Sequence, residues 1–345
     1  MSEEMNYSRE FSGRIREYVR GKGKVLIVGH DNPDPDSLAA AFALGHLLEV
    51  TENVKATIAF GGVIGRGENR AMVKELEIRT VPLEGLDLSP YGVVCMVDTQ
   101  PGTGNNSFPA DRDVHIVIDH HPLRDTTRKC KLVDVRDNYG ASATMLYEYL
   151  LSQDIYIGTK LATILFYAIK SETQDLGREW TQYDRTAYLN LLQLSNNRIL
   201  YNITHSQVPR EYFSCYNRAI ENARIYGSVL VSNLFEIDNP DVVAEMADFL
   251  LRLEGVDVVL GMGVFHEKGI LSLRTSNHCI PAGQTLRDVV GELGTGGGHG
   301  MIAGAQICPM KGNRAVLREL ESTLTQRLLS TLGRPLEKGK RLIAP

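Results

Sequence analysis

Residues 30–36 read His30-Asp31-Asn32-Pro33-Asp34-Pro35-Asp36 and follow directly on the apolar run Val25-Leu26-Ile27-Val28-Gly29. One imidazole and three carboxylates thus fall in the loop after a buried strand, where open α/β sheets build their ligand sites. A second apolar run, Val93–Val97, delivers Asp98, and a third, Val114–Ile118, leads into Asp119-His120-His121. Carboxylates gathered in this way repel one another and are costly to bury, whereas divalent cations make the same cluster favourable. A donor set of nitrogen and oxygen without cysteine suits Mn2+ or Mg2+ over structural zinc, and the histidines tilt the choice toward Mn2+. Pro33 and Pro35 lower the entropy of holding the first loop. Asp31, Asn32 and Asp113, each taken alone, read as turn formers or solvated residues.

Positioning these loops requires strands and helices in alternation. The pattern predicts strands over 24–29, 54–60, 93–97 and 114–118, with helices over 37–49 (capped by Ser37), 69–78 and 142–151. Such alternation means a parallel sheet covered on both faces. From Ile155 to about Leu200 the pattern is helical, and 202–209 breaks it. A first domain over 1–201, a linker over 202–209 and a second domain over 210–335 are therefore expected. In the second domain the pattern predicts helices over 210–223, 240–253, 284–291 and 313–332, strands over 228–235, 256–264, 269–274 and 302–307, and a glycine loop before the last strand. Strands in succession there imply a mixed sheet. The expected fold class is α/β: a parallel-sheet N-terminal domain, then a smaller mixed-sheet α/β domain, with the active site in the cleft between them.

With 43% hydrophobic and 23% charged residues the chain can bury sizeable cores without disulfides. Its five cysteines are scattered and form no CxxC pair, which argues for reduced thiols in a cytosol. The charged start Met1-Ser2-Glu3-Glu4 lacks the apolar core of a signal peptide, and no stretch has the length and apolarity to span a bilayer, so a cytoplasmic location without membrane association is expected. A net charge of −5 argues against a coat for long duplex DNA, but leaves room for a short anionic substrate in a pocket. The basic tail Lys338-Gly339-Lys340-Arg341 reads as a frayed end.

The series His30-x-Asn32-Pro33-Asp34-x-Asp36, then Asp98, then Asp119-His120-His121 resembles the motifs of the DHH phosphoesterase superfamily, which includes RecJ exonucleases, family II pyrophosphatases and the nanoRNase/pAp phosphatases. Gly296-Gly297-Gly298-His299 resembles the glycine-rich loop of the DHH-associated substrate domain, so the resemblance covers nearly the whole chain. It implies two divalent ions, Mn2+ preferred with Mg2+ or Co2+ as alternatives. His30 and Asp34 are implied for one ion, Asp36 and His120 for the other, and Asp98 for a bridge. The superfamily's fourth motif resembles Gly-Ile-x-Thr-Asp-Thr-Gly. Here Ala168-Ile169-Lys170-Ser171-Glu172-Thr173-Gln174 puts Glu172 in the ligand position, with Asp175 as the alternative. The resemblance further implies Asp98, His120 and His121 as the catalytic set, with Asp119 orienting His120 and His121 facing the substrate phosphate. In the second domain Gly296, Gly297, Gly298 and His299 are expected to form an anion nest, and Arg274 to grip a phosphate with its planar fork.

Paired ions supply a nucleophilic water near neutral pH and neutralise phosphate oxygens during in-line attack, so no side-chain nucleophile is needed. The chain offers no Gly-x-Ser-x-Gly elbow, and Gly21-Lys22-Gly23-Lys24 precedes a strand instead of following one. The expected activity is Mn2+-dependent hydrolysis of short single-stranded oligonucleotides or small nucleotides such as pAp and linear dinucleotides, by a protein compatible with a homodimer. Two further readings stand beside it: an inorganic pyrophosphatase or short-chain exopolyphosphatase, and a catalytically weak nucleotide sensor, motivated by Glu172 and Gln174 at motif positions.

Overall fold

A computed structural model describes residues 3–308, 314–336 and 338–343, the side chain of His299 excepted. The chain divides into two compact units, Met1–Ser206 and Gln207–Pro345. The first contains α1 (Glu3–Val19), β1 (Lys24–Val28), α2 (Pro35–Glu52), β2 (Ala56–Phe60), α3 (Gly67–Glu75), β3 (Val81–Pro82), β4 (Tyr91–Val97), β5 (Ile116–Asp119), β6 (Leu132–Val135), α4 (Ser142–Ser152), α5 (Thr159–Glu172), α6 (Gln182–Leu194) and α7 (Asn197–Thr204). Its strands lie in the order β3-β2-β1-β4-β5-β6, and every neighbouring pair is parallel. The chain runs outward from β1 to β3 and restarts at β4 on the other side of β1. The topological switch point therefore falls between β1 and β4, and the loops carrying His30 and Asp98 flank it.

Strand alternation divides the buried side chains between two cores. Val25, Ile27, Val93, Cys95, Val97, Ile116 and Ile118 pack beneath the helices. Leu26, Val28, Val94, Met96 and Val117 face the other way, against Leu83 and Phe108. Both faces are covered as the sequence implies, but the second is closed by the segments connecting the strands, with no helical side chain among the described residues of that cluster. Helix α2 starts two residues earlier than its periodicity suggests, because the Asp34 carboxylate accepts the Asp36 and Ser37 amides and Pro35 suits the first helical position. Ser37 lies inside the helix and does not cap it. Residues 202–204 complete α7, so the break expected over 202–209 is confined to 205–209.

The second unit comprises α8 (Arg210–Asn222), β7 (Arg224–Tyr226), β8 (Val229–Glu236), α9 (Asp241–Leu250), β9 (Val258–Phe265), β10 (Lys268–Thr275), α10 (Ala282–Val290), β11 (Thr295–His299), β12 (Ile302–Ile307), α11 (Arg314–Thr331) and β13 (Lys340–Arg341). Its sheet runs β11-β12-β10-β9-β8-β7-β13, antiparallel except for β8 with β9. The basic tail does not fray: Lys340 and Arg341 pair with β7. All five cysteines are free. Among the described residues no helix is long and apolar enough to cross a membrane.

One buried polar network braces the first unit. Arg136 donates to both oxygens of Asp134 and to Glu148, and Ser8 of α1 and the Tyr149 hydroxyl of α4 join the same group. Arg136→Leu strands two buried carboxylates without their cation, and is expected to lower the unfolding free energy by roughly 3–5 kcal/mol in urea denaturation. A loss under about 1 kcal/mol would show that the network contributes little.

Candidate metal centre

The first loop is built by stitching it to its neighbours. Asp31 accepts the Ser107 amide and hydroxyl at 2.9 and 2.5 Å, and Asn32 Oδ1 accepts the Val63 amide at 2.9 Å. Asn32 sits in left-handed conformation at φ 54°. The facing turn needs glycines: a Cβ at Gly61 would lie 2.1 Å from Asp31 Oδ1, and one at Gly62 2.3 Å from Asn32 Oδ1. Held in this way, His30 turns Nδ1 to the Asp31 carbonyl at 2.9 Å. A carbonyl only accepts, so Nδ1 carries a proton, and in the neutral ring Nε2 presents its lone pair. That nitrogen lies 3.4 Å from Asp34 Oδ2 and 3.5 Å from Asp98 Oδ2. Asp34 divides its carboxylate, with Oδ1 capping α2 and Oδ2 facing His30.

Asp98 follows β4 in left-handed conformation at φ 56°, a strained choice for a residue with a side chain. Its other oxygen, Oδ1, lies 3.4 Å from His120 Nε2 and accepts the Ser142 hydroxyl at 3.2 Å. His120 repeats the arrangement of His30, with Nδ1 held by the Tyr139 carbonyl at 3.1 Å. Asp36, buried in the first turn of α2, accepts the Ser142 and Ala143 amides at 2.7 and 2.8 Å, so its negative charge rests on the N-terminus of α4. Its Oδ2 is 3.8 Å from His120 Nε2.

Burial works against charging His30, yet Asp34 and Asp98 outweigh it and hold the imidazole well above its usual pKa. His120 is raised in the same way, by Asp98 and Asp36 against burial. Burial and then the charge of Asp98 push Asp36 well above the carboxylate range. Burial also acts on Asp98, but His120 and His30 draw it far below that range. The donor atoms therefore fit divalent cations. Nitrogen lone pairs facing carboxylate oxygens at about 3.4 Å are repulsive unless a positive charge lies between them. Among the described residues, two groups have ligand atoms converging within 4.8 Å, His30 with Asp34 and Asp98, and Asp98 with His120 and His121; Asp98 belongs to both. His121 enters the second group where the sequence comparison implied Asp36.

The partner of Asp119 is also different from the one expected. Asp119 does not orient His120: its Oδ1 lies 2.8 Å from His121 Nδ1, and the Tyr139 carbonyl takes the role at His120. The other oxygen of Asp119 accepts from Gln100 at 2.7 Å. Gln100 is itself buried, its Oε1 receiving the Arg124 amide and the Thr127 hydroxyl. Glu172, at the end of α5, belongs to the electrostatic cluster. Burial and then Asp34 raise its carboxyl, and it acts in turn on Asp36 and His120. Asp175 is exposed and bound elsewhere, to Lys170 Nζ at 2.5 Å and the Tyr188 hydroxyl at 2.9 Å.

In the second unit Arg274 and the glycines have partners within the fold. Arg274 is buried, with Nε donating to Asp248 at 2.8 Å and Nη1 to the carbonyls of Leu273 and Ala303. Gly296, Gly297 and Gly298 form no loop: they lie in β11, opposite Ala305, Gly304 and Ala303 of β12. A Cβ on Gly283 would come within 2.1 Å of the Gly298 carbonyl, so Gly283 lets α10 lie directly on the strand. His299 ends β11, and its side chain lies outside the described residues.

Residues 24–169 match the DHH family, N-terminal domain, and residues 227–326 match the DHHA1 domain. The chain belongs to the DHH phosphoesterase superfamily. An uncharacterised protein of Methanocaldococcus jannaschii is 35% identical over 320 residues, 90% of this chain and 65% of that protein. The cyclic-di-AMP phosphodiesterase GdpP of Geobacillus thermodenitrificans is 25% identical over 317 residues, 87% of this chain and 47% of GdpP. A probable manganese-dependent inorganic pyrophosphatase of Staphylococcus saprophyticus is 27% identical over 150 residues, 44% of this chain and 48% of that enzyme. The chain thus spans about two thirds of the first relative and about half of the other two. Among solved structures, an exopolyphosphatase-related protein from Bacteroides fragilis shares the fold, with a TM-score of 0.69 at 14% identity, covering 94% of this chain and 98% of that one. The DHH-family match includes His30, Asp34, Asp36, Asp98, His120 and His121 and stops three residues short of Glu172.

Two expectations follow for this DHH centre. In metal-free protein His30 and His120 hold their protons more tightly folded than unfolded. Their stabilisation is complete below the unfolded value of about 6.5 and is lost as pH rises through the higher folded values, and the raised carboxyl of Asp36 loses its contribution in the same direction. The thermal midpoint of metal-stripped protein should therefore fall as pH rises above about 6.5, and Mn2+ should flatten that fall by replacing the protons. A midpoint that climbs there contradicts the arrangement. Secondly, Glu172→Gln should weaken Mn2+ binding by about 10–100-fold, Glu172→Asp should retain most of it, and Asp175→Asn should leave it unchanged in calorimetric titration. Equal affinities for the Gln variant and the unaltered protein would remove Glu172 from the centre.

Proposed function

We propose that the chain is a metal-dependent phosphoesterase, holding two divalent ions with Mn2+ preferred, that hydrolyses short oligonucleotides or small nucleotides. The observation that carries this reading is Asp98, whose two oxygens each face a different imidazole at the switch point of a parallel sheet. Ions bound there supply a nucleophilic water near neutral pH and neutralise charge on the phosphoryl oxygens. His30 and Asp34 hold one position, and His120, His121 and Asp36 surround the other, with Glu172 adding negative charge. The amide dipoles of α4 keep Asp36 oriented. His121, 37% exposed at its side chain, is the imidazole of the pair open to solvent. Burial and His120 oppose its protonation, but Asp119 and Asp98 raise its pKa, which suits it to donate to a phosphoryl oxygen or a leaving group. The Asp119–Gln100 pair fixes its ring.

The reach of the resemblances bears on the substrate class. Similarity to the cyclic-di-AMP phosphodiesterase extends over 317 residues and both matched domains, whereas similarity to the pyrophosphatase is confined to 150 residues. The metal half is common to both chemistries, so the second domain favours a nucleotide. A pyrophosphatase is the second reading, supported by the metal half alone.

A hydrolysis panel with Mn2+ separates them, comparing a linear dinucleotide, pAp, a cyclic dinucleotide and pyrophosphate. The linear dinucleotide or pAp should be cleaved at least tenfold faster than pyrophosphate, and Asp98→Ala should abolish turnover. Fast cleavage of pyrophosphate alone transfers the assignment to the second reading; nucleotide binding without any turnover identifies a sensor.

A further inference from the structure

The segment 139–143, which ends the β6–α4 loop and begins α4, serves three members of the centre at once. The Tyr139 carbonyl holds His120 Nδ1, the Ser142 and Ala143 amides hold Asp36, and the Ser142 hydroxyl holds Asp98. This loop is clamped from outside by a carboxylate far along the chain. Asp184, in the first turn of α6 and 0% exposed, accepts the Gly140 amide at 2.9 Å and the Thr144 hydroxyl at 2.6 Å. It also accepts the amide and hydroxyl of Thr181, both at 2.8 Å, closing the start of its own helix. A Cβ on Gly140 would come within 2.7 Å of the Glu179 carbonyl and 2.9 Å of Asp184 Oδ2, so the loop lies flat against the α5–α6 connection.

We propose that Asp184 is a positioning residue for one half of the metal centre, the half built on His120, and that it acts through Gly140 and Thr144. The inference rests on the two-metal reading above. Its reach is one-sided. The His30 half is stitched to Ser107, Gly61 and Val63, and none of those contacts passes through residues 139–143. Loss of the clamp lets Tyr139 and the start of α4 drift, which misdirects the His120 lone pair and withdraws the amides from Asp36. The His30–Asp34 pair keeps its geometry.

The test is Mn2+ titration of metal-free protein, by calorimetry and by the electron paramagnetic resonance of free Mn2+, with no substrate present. The unaltered chain should bind two ions. Asp184→Ala should weaken one of them by about 10–100-fold and leave the other unchanged. Asp184→Asn should rescue it, because an amide oxygen can accept from Gly140 and Thr181 while the NH2 donates to the Thr144 hydroxyl. His120→Ala and His30→Ala identify which ion is lost. Leu191→Ala, at a fully buried position on the same helix, controls for stability. Thr144→Val removes a single bond and carries the test, with a smaller shift at the same ion, if the alanine variant does not fold. The proposal is overturned if folded Asp184→Ala binds both ions normally, if both ions weaken equally, or if Leu191→Ala reproduces the selective loss. An unaltered chain that binds fewer than two ions instead overturns the two-metal reading itself, so the two failures are distinguishable.

Discussion

Asp98 stands between two imidazoles, with one carboxylate oxygen 3.5 Å from His30 Nε2 and the other 3.4 Å from His120 Nε2. Each imidazole has its far nitrogen tied to a backbone carbonyl, so each can turn only a lone pair toward that carboxylate while it is neutral. The surroundings follow from this conflict. Negative charge gathered at the switch point needs positive potential, and no lysine or arginine appears among the charges that most strongly shift Asp36, Asp98 or Glu172. The chain supplies helix amides to Asp36, a cap role to half of Asp34 and a hydroxyl to Asp98. Such devices relieve the repulsion in part, and cations complete the balance.

The two halves of the centre are constructed differently. His30 and Asp34 lie four residues apart in one loop, and the contacts that hold that loop come from the ends of neighbouring strands, at Gly61, Val63 and Ser107. The other half is assembled from β5, the loop before α4, the first turn of α2 and the last residue of α5. A half made locally keeps its geometry when distant helices shift; a half made from four segments depends on all of them. Precision at His120 is therefore a property of the whole helical layer.

The sheet and the ligand loops are legible because their signals are local. Apolar runs mark the buried strands, and histidine and aspartate directly after them sit where strand ends must face a crevice. Strands β3 and β6 and helix α1 escape the same reading, being too short or too polar to announce a period. Identity of partner is harder still. Asp119 was assigned to the adjacent imidazole and serves the next one, because only the folded chain places the Tyr139 carbonyl beneath His120. Arg274 reads as a phosphate ligand from its strand alone, and nothing in the sequence points to Asp248, from α9, which lies beside it in the fold. The glycines at 296–298 show why a glycine run is ambiguous: it reads as a loop, and in the fold it pairs as a strand beside β12 and lies against Gly283 of α10.

Glu172 and Asp184 are twelve residues apart in sequence, the first within the electrostatic cluster of the centre and the second bonded to the segment that holds His120. Between them the chain makes a tight turn in which Gln174, Asp175 and Leu176 all adopt left-handed conformation, at φ 47°, 57° and 61°. Three such residues in succession, none of them glycine, are costly, on the order of 1–3 kcal/mol each. A relaxed loop would lengthen the step from α5 to α6 and carry Asp184 away from Gly140. Compensation comes from Thr173, whose hydroxyl is buried against the Ile169 carbonyl and receives the Leu176 amide, and from the bonds of Asp175 to Lys170 and Tyr188. Asp175, the acidic residue beyond the fourth motif, thus joins Thr173 in bracing the strained connection between α5 and α6.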